Sequence, residues 1–328
     1  MKIGLVGFFG WGNFGDELFV AAHKQFLSEL GEVEPIHDIM KKPYFSQPVA
    51  EVVEKYDAFV IGGGDLIIPW TVSELYWKEE YLSKPVHVVG VGVPTWGGYK
   101  KEKVEAYRRF FQSPSVKTLI ARDQKSADWI NKNIEPNVPA IYHPDLVCAM
   151  ELPVVEKPEN KILGVVLRHR RGGKDNLKSV RDLCIRAKKF DYKIRLIVLG
   201  NMSTGALDVE VAKEFAEEDE ELIYTEDINE MCVAIGECSA LASMKFHGTI
   251  VAAMYGVPSY ILSATDKNRN FAKMIDRPDL VTSIQDKKLF YRLPFSPAPI
   301  NQLVIDDLKK RAIEGYGVLI NNLKKNAL

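Results

Sequence analysis

The stretch 243–250 (SMKFHGTI) combines a cation, an imidazole and a turn of small residues. Lys245 and His247 are two positions apart, so on a strand both side chains would point to the same side. Gly248 and Thr249 allow the chain to bend into the apolar helix that follows, and the first N–H groups of a helix have no partner within it. Such a terminus attracts anions. We therefore predict a strand through Lys245 and His247 that ends in a binding site for phosphate or carboxylate.

A glycine-rich loop near the start of the chain is the second candidate site. Residues 2–7 are typical of a buried strand, and residues 7–17 (GFFGWGNFGDE) lead from it into a helix. Strand, glycine-rich loop and helix is the arrangement that cradles phosphates, and as a dinucleotide-binding fingerprint the loop is a weak signal. Asp16 and Glu17 either cap the helix or include one carboxylate that holds or deprotonates a ligand hydroxyl.

Other candidate residues directly follow predicted strands, where ligands bind in open α/β sheets. They are Gly64, Asp65, Trp96, Arg122 and Arg168. Trp96 either fills the core or offers a sugar ring an aromatic platform. Arg122 either forms a local ion pair with Asp123 or binds a ligand. Arg168, Arg170 and Arg171 either belong to the solvated surface or bind a ligand, and Arg168, which ends its strand, is the preferred ligand residue.

Apolar strands alternate with helices along the chain, which predicts parallel, doubly wound sheets of the α/β class. The pattern stops at the polar, proline-containing stretch 151–160 and then restarts, so we expect two Rossmann-like domains. We place them at residues 1–155 and 156–300. A terminal helix within 301–328 is expected to pack back on the first domain, and the ligand loops of both domains are expected to face one cleft.

Composition argues against several classes of protein. The 328 residues carry a net charge of −1, which leaves no basic field to hold nucleic acid. Cys148, Cys184, Cys232 and Cys238 lack CxxC spacing and are expected to be buried free thiols, and no residues show metal-ligand spacing. The chain starts directly in a strand and has no apolar run near the ~18 residues that span a bilayer, so we expect a soluble, cytoplasmic protein without a signal peptide.

Five motifs occur in one order along residues 1–265. They are GFFGWGNFGDE at 7–17, GGG at 62–64, ARDQKS at 121–126, HPD at 143–145 and KFHGT at 245–249. This ordered series resembles the polysaccharide pyruvyl transferases. The resemblance implies a glycosyltransferase-B-like fold and transfer of the enolpyruvyl group of phosphoenolpyruvate onto a glycan sugar, which forms a pyruvate ketal and releases phosphate.

The resemblance also implies partners and a location. Phosphoenolpyruvate would be the co-substrate, and the acceptor would be a glycan or lipid-linked oligosaccharide of an exopolysaccharide or other cell-envelope polymer. No cofactor and no metal are expected. The enzyme would be cytoplasmic and not integral to the membrane, and a peripheral position at its inner face is compatible with this. The first domain would be the acceptor side, and the second would carry the donor motif.

Residue roles follow where the motifs match. Arg122 corresponds to the family's donor-binding arginine and His247 to its proposed general acid. Lys245 and Phe246 stand where the family usually has arginine and leucine. A lysine keeps the positive charge but loses the two-pronged grip of a guanidinium on phosphate.

The chemistry of the implied reaction requires these residue types. Phosphoenolpyruvate carries a phosphate and a carboxylate, so donor binding is assigned to Arg122, Lys245, Phe246, Gly248, Thr249 and Arg168. Protonation of the methylene carbon by His247 would leave an oxocarbenium-like carbon for a sugar hydroxyl to attack, and Asp16 or Glu17 would take the proton of that hydroxyl. Acceptor binding is assigned to Asn13, Gly12, Gly64, Asp65 and Trp96.

Two alternatives stay open. A nucleotide-sugar-dependent glycosyltransferase on the same scaffold would need a pocket for a base and a ribose in the second domain, where Glu226 or Asp227 is a possible ribose ligand. A catalytically silent glycan- or anion-binding relative would keep the scaffold without turnover. The departures at Lys245 and Phe246 motivate this second alternative.

Overall fold

Strands and helices alternate through the part of the chain that the structure, a computed structural model, describes: residues 1–170, 175–293 and 298–326. The strands are β1 (Lys2–Val6), β2 (Glu32–Pro35), β3 (Ala58–Gly64), β4 (Val86–Val91), β5 (Val116–Ala121), β6 (Ile141–Tyr142), β7 (Lys161–Val166), β8 (Tyr192–Ile197), β9 (Glu221–Ile223), β10 (Ala240–Ser243) and β11 (Ser259–Ile261). The helices are α1 (Phe14–Leu27), α2 (Val49–Val53), α3 (Lys101–Phe111), α4 (Gln124–Asn133), α5 (Lys178–Lys188), α6 (Met202–Phe215), α7 (Ile228–Gly236), α8 (Phe246–Met254), α9 (Asp266–Met274) and α10 (Gln302–Asn326). Arg171 lies outside the described residues.

The first sheet has the strand order β2-β1-β3-β4-β5-β6, and its paired strands are parallel. The central strands are largely apolar, and every residue of β4 is buried, as expected for a sheet covered on both faces. The chain leaves β1 towards one edge and returns to β3 on the other side. The topological switch point, where open α/β sheets bind ligands, therefore lies between the carboxyl ends of β1 and β3.

The second sheet has the order β11-β10-β7-β8-β9, again with parallel pairs. The chain runs from β7 through β8 to β9 in one direction, and then returns to place β10 on the other side of β7. The switch point of this sheet therefore lies between β7 and β10. The prediction of an α/β protein with two parallel sheets is confirmed.

The chain divides into two compact units. The first comprises residues 1–11, 16–150 and 309–328, and the second comprises residues 12–15 and 151–308. A core cluster of the first unit includes Phe59, Tyr81 and Phe111, and a cluster of the second includes Leu163 and Tyr260. Each unit thus buries its own sheet.

The C-terminal part of α10 belongs to the first unit. Tyr316 is fully buried, and its ring stacks on Phe26 with 4.1 Å between centroids. Its hydroxyl lies 3.1 Å from His23 Nδ1, and the Asn322 side-chain amide donates to Thr118 Oγ1 at 3.0 Å. Aromatic packing and buried polar contacts therefore hold this end of the helix on the unit.

The four cysteines are buried and free, as the sequence predicts. Along the described ranges, no helix combines the length and the apolarity that a membrane span requires.

The predicted strand through Lys245 and His247 is wrong. Strand β10 ends at Ser243, Lys245 is the N-cap of α8, and the helix begins at Phe246. The Ser243 hydroxyl accepts the N–H of Lys245 at 3.1 Å and donates to the Lys245 carbonyl at 2.8 Å. A serine side chain that bonds its neighbouring backbone in this way competes with the strand ladder and starts the turn early.

Candidate active site

The N-terminus of α8 lies at the switch point of the second sheet, because α8 follows β10 directly. Lys245 caps the helix without a side-chain hydrogen bond to its first turn. Gly248 stands in that first turn, and a Cβ built on it would meet Leu199 Cδ1 at 2.7 Å and Ser243 Oγ at 2.9 Å. The first N–H groups of the helix and its positive dipole end thus occur where an anion is expected.

His247 is the second residue of α8 and is 9% exposed. Its ring meets that of Phe246 edge to face, with 5.1 Å between centroids. A Cβ built on Gly15 would lie 1.9 Å from His247 Nδ1, so the imidazole occupies the space that any side chain at Gly15 would need. The absence of a side chain at Gly15 therefore helps to define the position of the imidazole. Sequence reasoning missed this role of Gly15, although the glycine lies within the loop motif.

The segment 12–15 belongs to the second unit through backbone contacts with the loop after β8. Asn13 forms an antiparallel bridge with Gly200, and the N–H of Asn201 donates to the Gly12 carbonyl at 2.9 Å. Gly12 has φ +82°, and a Cβ on it would lie 2.1 Å from the Asn201 carbonyl oxygen. Through these contacts Gly12 and Asn13 join the glycine-rich loop to the loop after β8. Their role in acceptor binding stays a prediction.

Lys245 is paired within the second unit. Its Nζ lies 2.5 Å from Asp208 Oδ2 and donates to the Leu199 carbonyl at 2.5 Å. The Lys245 side chain is 10% exposed and that of Asp208 is 4% exposed. Asp208 also accepts the backbone N–H of His169 at 2.7 Å through Oδ1. Asp208 was not predicted, because nothing in the sequence separates it from the other carboxylates of α6.

Arg168 follows β7 and is exposed. Among the described residues it makes no hydrogen bond or ion pair, whereas its neighbour Arg170 pairs with Asp175 at 3.2 Å. A cavity of about 570 Å³ opens beside it, lined by Arg168, His169, Arg170, Asp175, Leu177, Leu207, Glu210, Val211, Glu214 and Phe215. Arg168 is thus a cation at the switch point that an anionic ligand can engage.

The other donor-binding candidates of the second unit are largely interior. Phe246 is 9% exposed, packs edge to face on Phe271 and has Lys267 Nζ 5.3 Å from its ring centroid. Thr249 is buried, with its hydroxyl 3.4 Å from that of Ser259. Both side chains support α8, and contact of either one with a donor stays a prediction.

Arg122 lies in the first unit, at the carboxyl end of β5, and is 3% exposed. Its guanidinium pairs with Asp65, which follows β3. Burial alone would lower the pKa of Arg122, but the charges of Asp65, Asp145 and Asp123 outweigh burial and raise that pKa. Asp123 itself caps α4 by accepting the N–H of Ser126 at 2.9 Å. The ion pair of Arg122 with Asp65 thus joins the ends of two strands.

Asp16 and Glu17 are distinguished by their contacts in the first unit. Glu17 Oε1 accepts the N–H of Gly10 at 2.8 Å and so closes the glycine-rich loop. Asp16 is 8% exposed, and a Cβ built on Gly64 would lie 3.7 Å from its Oδ1. Asp16 therefore lies at the carboxyl end of β3, next to the residue that precedes Asp65.

Trp96 is 77% exposed in the loop after β4. Its ring meets that of Trp70 edge to face, with 4.9 Å between centroids. A Cβ on Gly97 would lie 2.4 Å from Trp70 Cζ2, so Gly97 permits this packing. The structure thus presents an exposed indole face, and the interpretation of Trp96 as core filling is wrong.

Comparison with solved structures identifies the fold. The chain is similar to UDP-GlcNAc 2-epimerase from Neisseria meningitidis bound to UDP-GlcNAc, with TM-score 0.59 and 13% identity over 99% of this chain and 100% of that chain. It is also similar to UDP-GlcNAc 2-epimerase from Methanocaldococcus jannaschii in complex with UDP-GlcNAc and UDP, with TM-score 0.62 and 13% identity over 98% of this chain and 100% of that chain. The wall teichoic acid polymerase TagF gives TM-score 0.54 and 11% identity over 99% of this chain and 88% of that chain. The predicted glycosyltransferase-B-like fold is confirmed.

The sequence itself identifies the family. A family model described as polysaccharide pyruvyl transferase matches residues 13–266, which is well over half of the chain. The protein belongs to the polysaccharide pyruvyl transferase family, and the predicted resemblance is confirmed. Family and fold together support a transferase of polysaccharide biosynthesis. A comparison with curated proteins gives no significant match.

Proposed function

We propose that the protein transfers the enolpyruvyl group of phosphoenolpyruvate to a glycan sugar, forming a pyruvate ketal across two hydroxyls and releasing inorganic phosphate. The observation that carries the proposal is His247 at the N-terminus of α8, within the matched family region and at the switch point of the second sheet. An acid group next to an anion-binding helix terminus fits a substrate that is both anionic and protonated during the reaction.

The proposed chemistry has two additions at C2 of phosphoenolpyruvate. His247 gives a proton to the methylene carbon, and a sugar hydroxyl adds to C2, which now has oxocarbenium character. Phosphate then leaves with its bonding electrons, and a second hydroxyl of the same sugar adds to the same carbon. Of the two hydroxyl protons, one restores the acid and the other, taken first by the carboxylate base, leaves on the released phosphate. The protein's task is to hold the anion, supply the proton and accept the proton of the nucleophile.

We assign these tasks from the contacts described above. Arg168 is the preferred cation for the donor, because Lys245 is already paired with Asp208. The first N–H groups of α8 are the preferred neutral donors. Asp16 is the preferred base over Glu17, whose carboxylate closes the glycine-rich loop. Arg122 keeps the donor-binding role that the family resemblance implies, and Asp65 is its carboxylate partner.

The acceptor is proposed to be a sugar of a glycan or a lipid-linked oligosaccharide. The exposed indole of Trp96 offers the flat apolar surface on which a pyranose ring stacks. Asp65 and Asp16 supply carboxylates for sugar hydroxyls in the first unit. Because phosphoenolpyruvate is a cytoplasmic metabolite, we place the reaction in the cytoplasm or at the inner face of the membrane.

Phosphate release from phosphoenolpyruvate, measured across a panel of galactosides, N-acetylhexosamines and lipid-linked sugars, tests the proposal. Wild type should release phosphate with at least one acceptor. His247→Asn keeps a polar side chain of similar reach but no acid, so it should lower kcat by about 10²–10⁴ while the melting temperature changes little. No release by wild type across the panel, or full activity of His247→Asn, would contradict the proposal.

A nucleotide-sugar-dependent glycosyltransferase is the second candidate function. The cavity beside Arg168 favours it, because two arginines, two glutamates of α6 and an apolar wall at Leu207 and Phe215 match a phosphate, a ribose and a base. Two of the similar structures contain UDP-GlcNAc. Asp227 does not support it, since its carboxylate caps α7 through the N–H of Asn229. Thermal stabilisation by UDP but not by phosphoenolpyruvate would favour this candidate.

A further inference from the structure

Asp208 is a buried carboxylate that contacts two different loops of the second sheet. It lies in the interior of α6 and is 3% exposed. Its Oδ1 accepts the N–H of His169 in the loop after β7, and its Oδ2 lies 2.5 Å from Lys245 Nζ, after β10. Strands β7 and β10 are the two strands of the switch point, so one carboxylate joins the loops on both sides of it.

The pairing with Asp208 changes the electrostatics of the helix terminus. Lys245 is the residue directly before α8, and its side chain is 10% exposed. A partner carboxylate in direct contact cancels most of the field of that ammonium at a distance of several ångströms. An anion at the terminus is therefore attracted by the N–H groups of the helix and by Arg168, and only weakly by Lys245.

We propose that Asp208 is a positioning residue that sets the anion affinity of the α8 terminus by neutralising Lys245 and holding it against the Leu199 carbonyl. The inference rests on the proposed function, because it assumes that the terminus binds the phosphate of the donor and releases it as product. A moderate affinity for phosphate allows the product to dissociate. By neutralising Lys245, Asp208 keeps the affinity moderate, and it also fixes the start of the helix that carries His247.

Binding of inorganic phosphate, measured by titration calorimetry without donor or acceptor, tests the inference. Asp208→Asn keeps the oxygen that accepts the His169 N–H but removes the negative charge, so Lys245 regains its field. Phosphate should then bind about tenfold more tightly or better, since an uncompensated charge a few ångströms away is worth at least that factor in a medium of intermediate dielectric. In turnover assays, stronger product inhibition by phosphate should accompany a lower kcat.

A matched control and a double variant separate charge from structure. Asp219→Asn removes the same charge from an exposed carboxylate that pairs with Lys188. Asp219 precedes the edge strand β9, away from β7 and β10, so this change should leave phosphate binding unchanged. Asp208→Asn with Lys245→Gln restores a neutral pair and should bind phosphate about as wild type does. If Asp208→Asn does not fold, Lys245→Gln alone should weaken phosphate binding and the double variant should restore it.

Two results would overturn the inference: a folded Asp208→Asn that binds phosphate within twofold of wild type, or a double variant whose affinity does not return to the wild-type value. Neither result depends on pyruvyl transfer. Failure of the proposed function would appear instead as normal phosphate binding with no release from phosphoenolpyruvate.

Discussion

Replacement of Gly15 by alanine should disturb the imidazole of His247 directly. The added Cβ would lie 1.9 Å from Nδ1, 2.5 Å from Cγ and 2.7 Å from Cε1 of the ring. Real Cβ atoms keep at least 3.0 Å from such neighbours, so the ring or the start of α1 must shift by about 1.1 Å. A displacement of about 1 Å at a reacting group can lower a rate by ~10²-fold.

The effect on stability should be smaller than the effect on catalysis. Overpacking a close contact lowers the unfolding free energy by about 1–3 kcal/mol, whereas alanine in place of glycine in a helix raises it by up to about 1 kcal/mol. We therefore expect Gly15→Ala to lose about 0–2 kcal/mol of unfolding free energy and about 10²-fold in kcat. The assays are phosphate release and thermal unfolding, together with the imidazole ¹⁵N resonances of His247, which report the contact without any substrate.

Gly317→Ala is the matched control. Gly317 lies in α10, and a Cβ on it would meet no atom within 4 Å, so this change should add a little stability and leave kcat and the His247 resonances unchanged. The reasoning fails if Gly15→Ala keeps wild-type kcat and unshifted His247 resonances, because the imidazole would then not occupy the space beside Gly15.

Three further outcomes are expected. Arg122→Met should lower the unfolding free energy by about 3 kcal/mol, since it breaks the ion pair of a buried guanidinium with Asp65. Lys178→Met, at an exposed ion pair, should change the unfolding free energy by less than about 0.5 kcal/mol, and equal losses in urea unfolding would contradict this. Trp96→Ala should raise the acceptor KM about fivefold with little change in kcat or melting temperature. Tyr291→Ala, which removes an exposed ring from the second unit, should change neither KM nor kcat. An unaltered acceptor KM in Trp96→Ala would contradict the proposal that a sugar stacks on Trp96. Burial lowers the pKa of His23 and of His87 to about 4, so between pH 6.5 and 4 the unfolded chain binds more protons and stability falls as the pH falls. Each of these histidines should lower the unfolding free energy by about 2 kcal/mol between pH 7.5 and pH 5. A urea midpoint that does not change with pH over that range would refute this prediction.

The pattern of apolar residues along the sequence predicted the elements whose formation depends on burial. The buried strand predicted at residues 2–7 is an apolar run, and the structure places β1 at Lys2–Val6. Strand β2 has no such apolar run, because Val33 is the one buried residue among Glu32–Pro35. The start of α8 was misplaced, because a hydrogen bond of the Ser243 hydroxyl decides it.

The candidate site was predictable only in part, for a related reason. The motif around His247 was visible because cation, imidazole and glycine are adjacent in the chain. The choice between Asp16 and Glu17 was not visible, since it depends on the N–H of Gly10 and on the carboxyl end of β3. The partner of Arg122 was missed because Asp65 is 57 residues away along the chain.

The sequence by itself determined the α/β class, the two parallel sheets and the family, because periodic burial and ordered motifs are properties of consecutive residues. The tertiary structure alone decided which charges compensate each other. Asp208 and Lys245 are 37 positions apart, and Gly15 and His247 are 232 positions apart. Coulomb interactions and steric contacts fall off over a few ångströms of space rather than along the chain, so only the folded arrangement of strand ends could bring these pairs into contact.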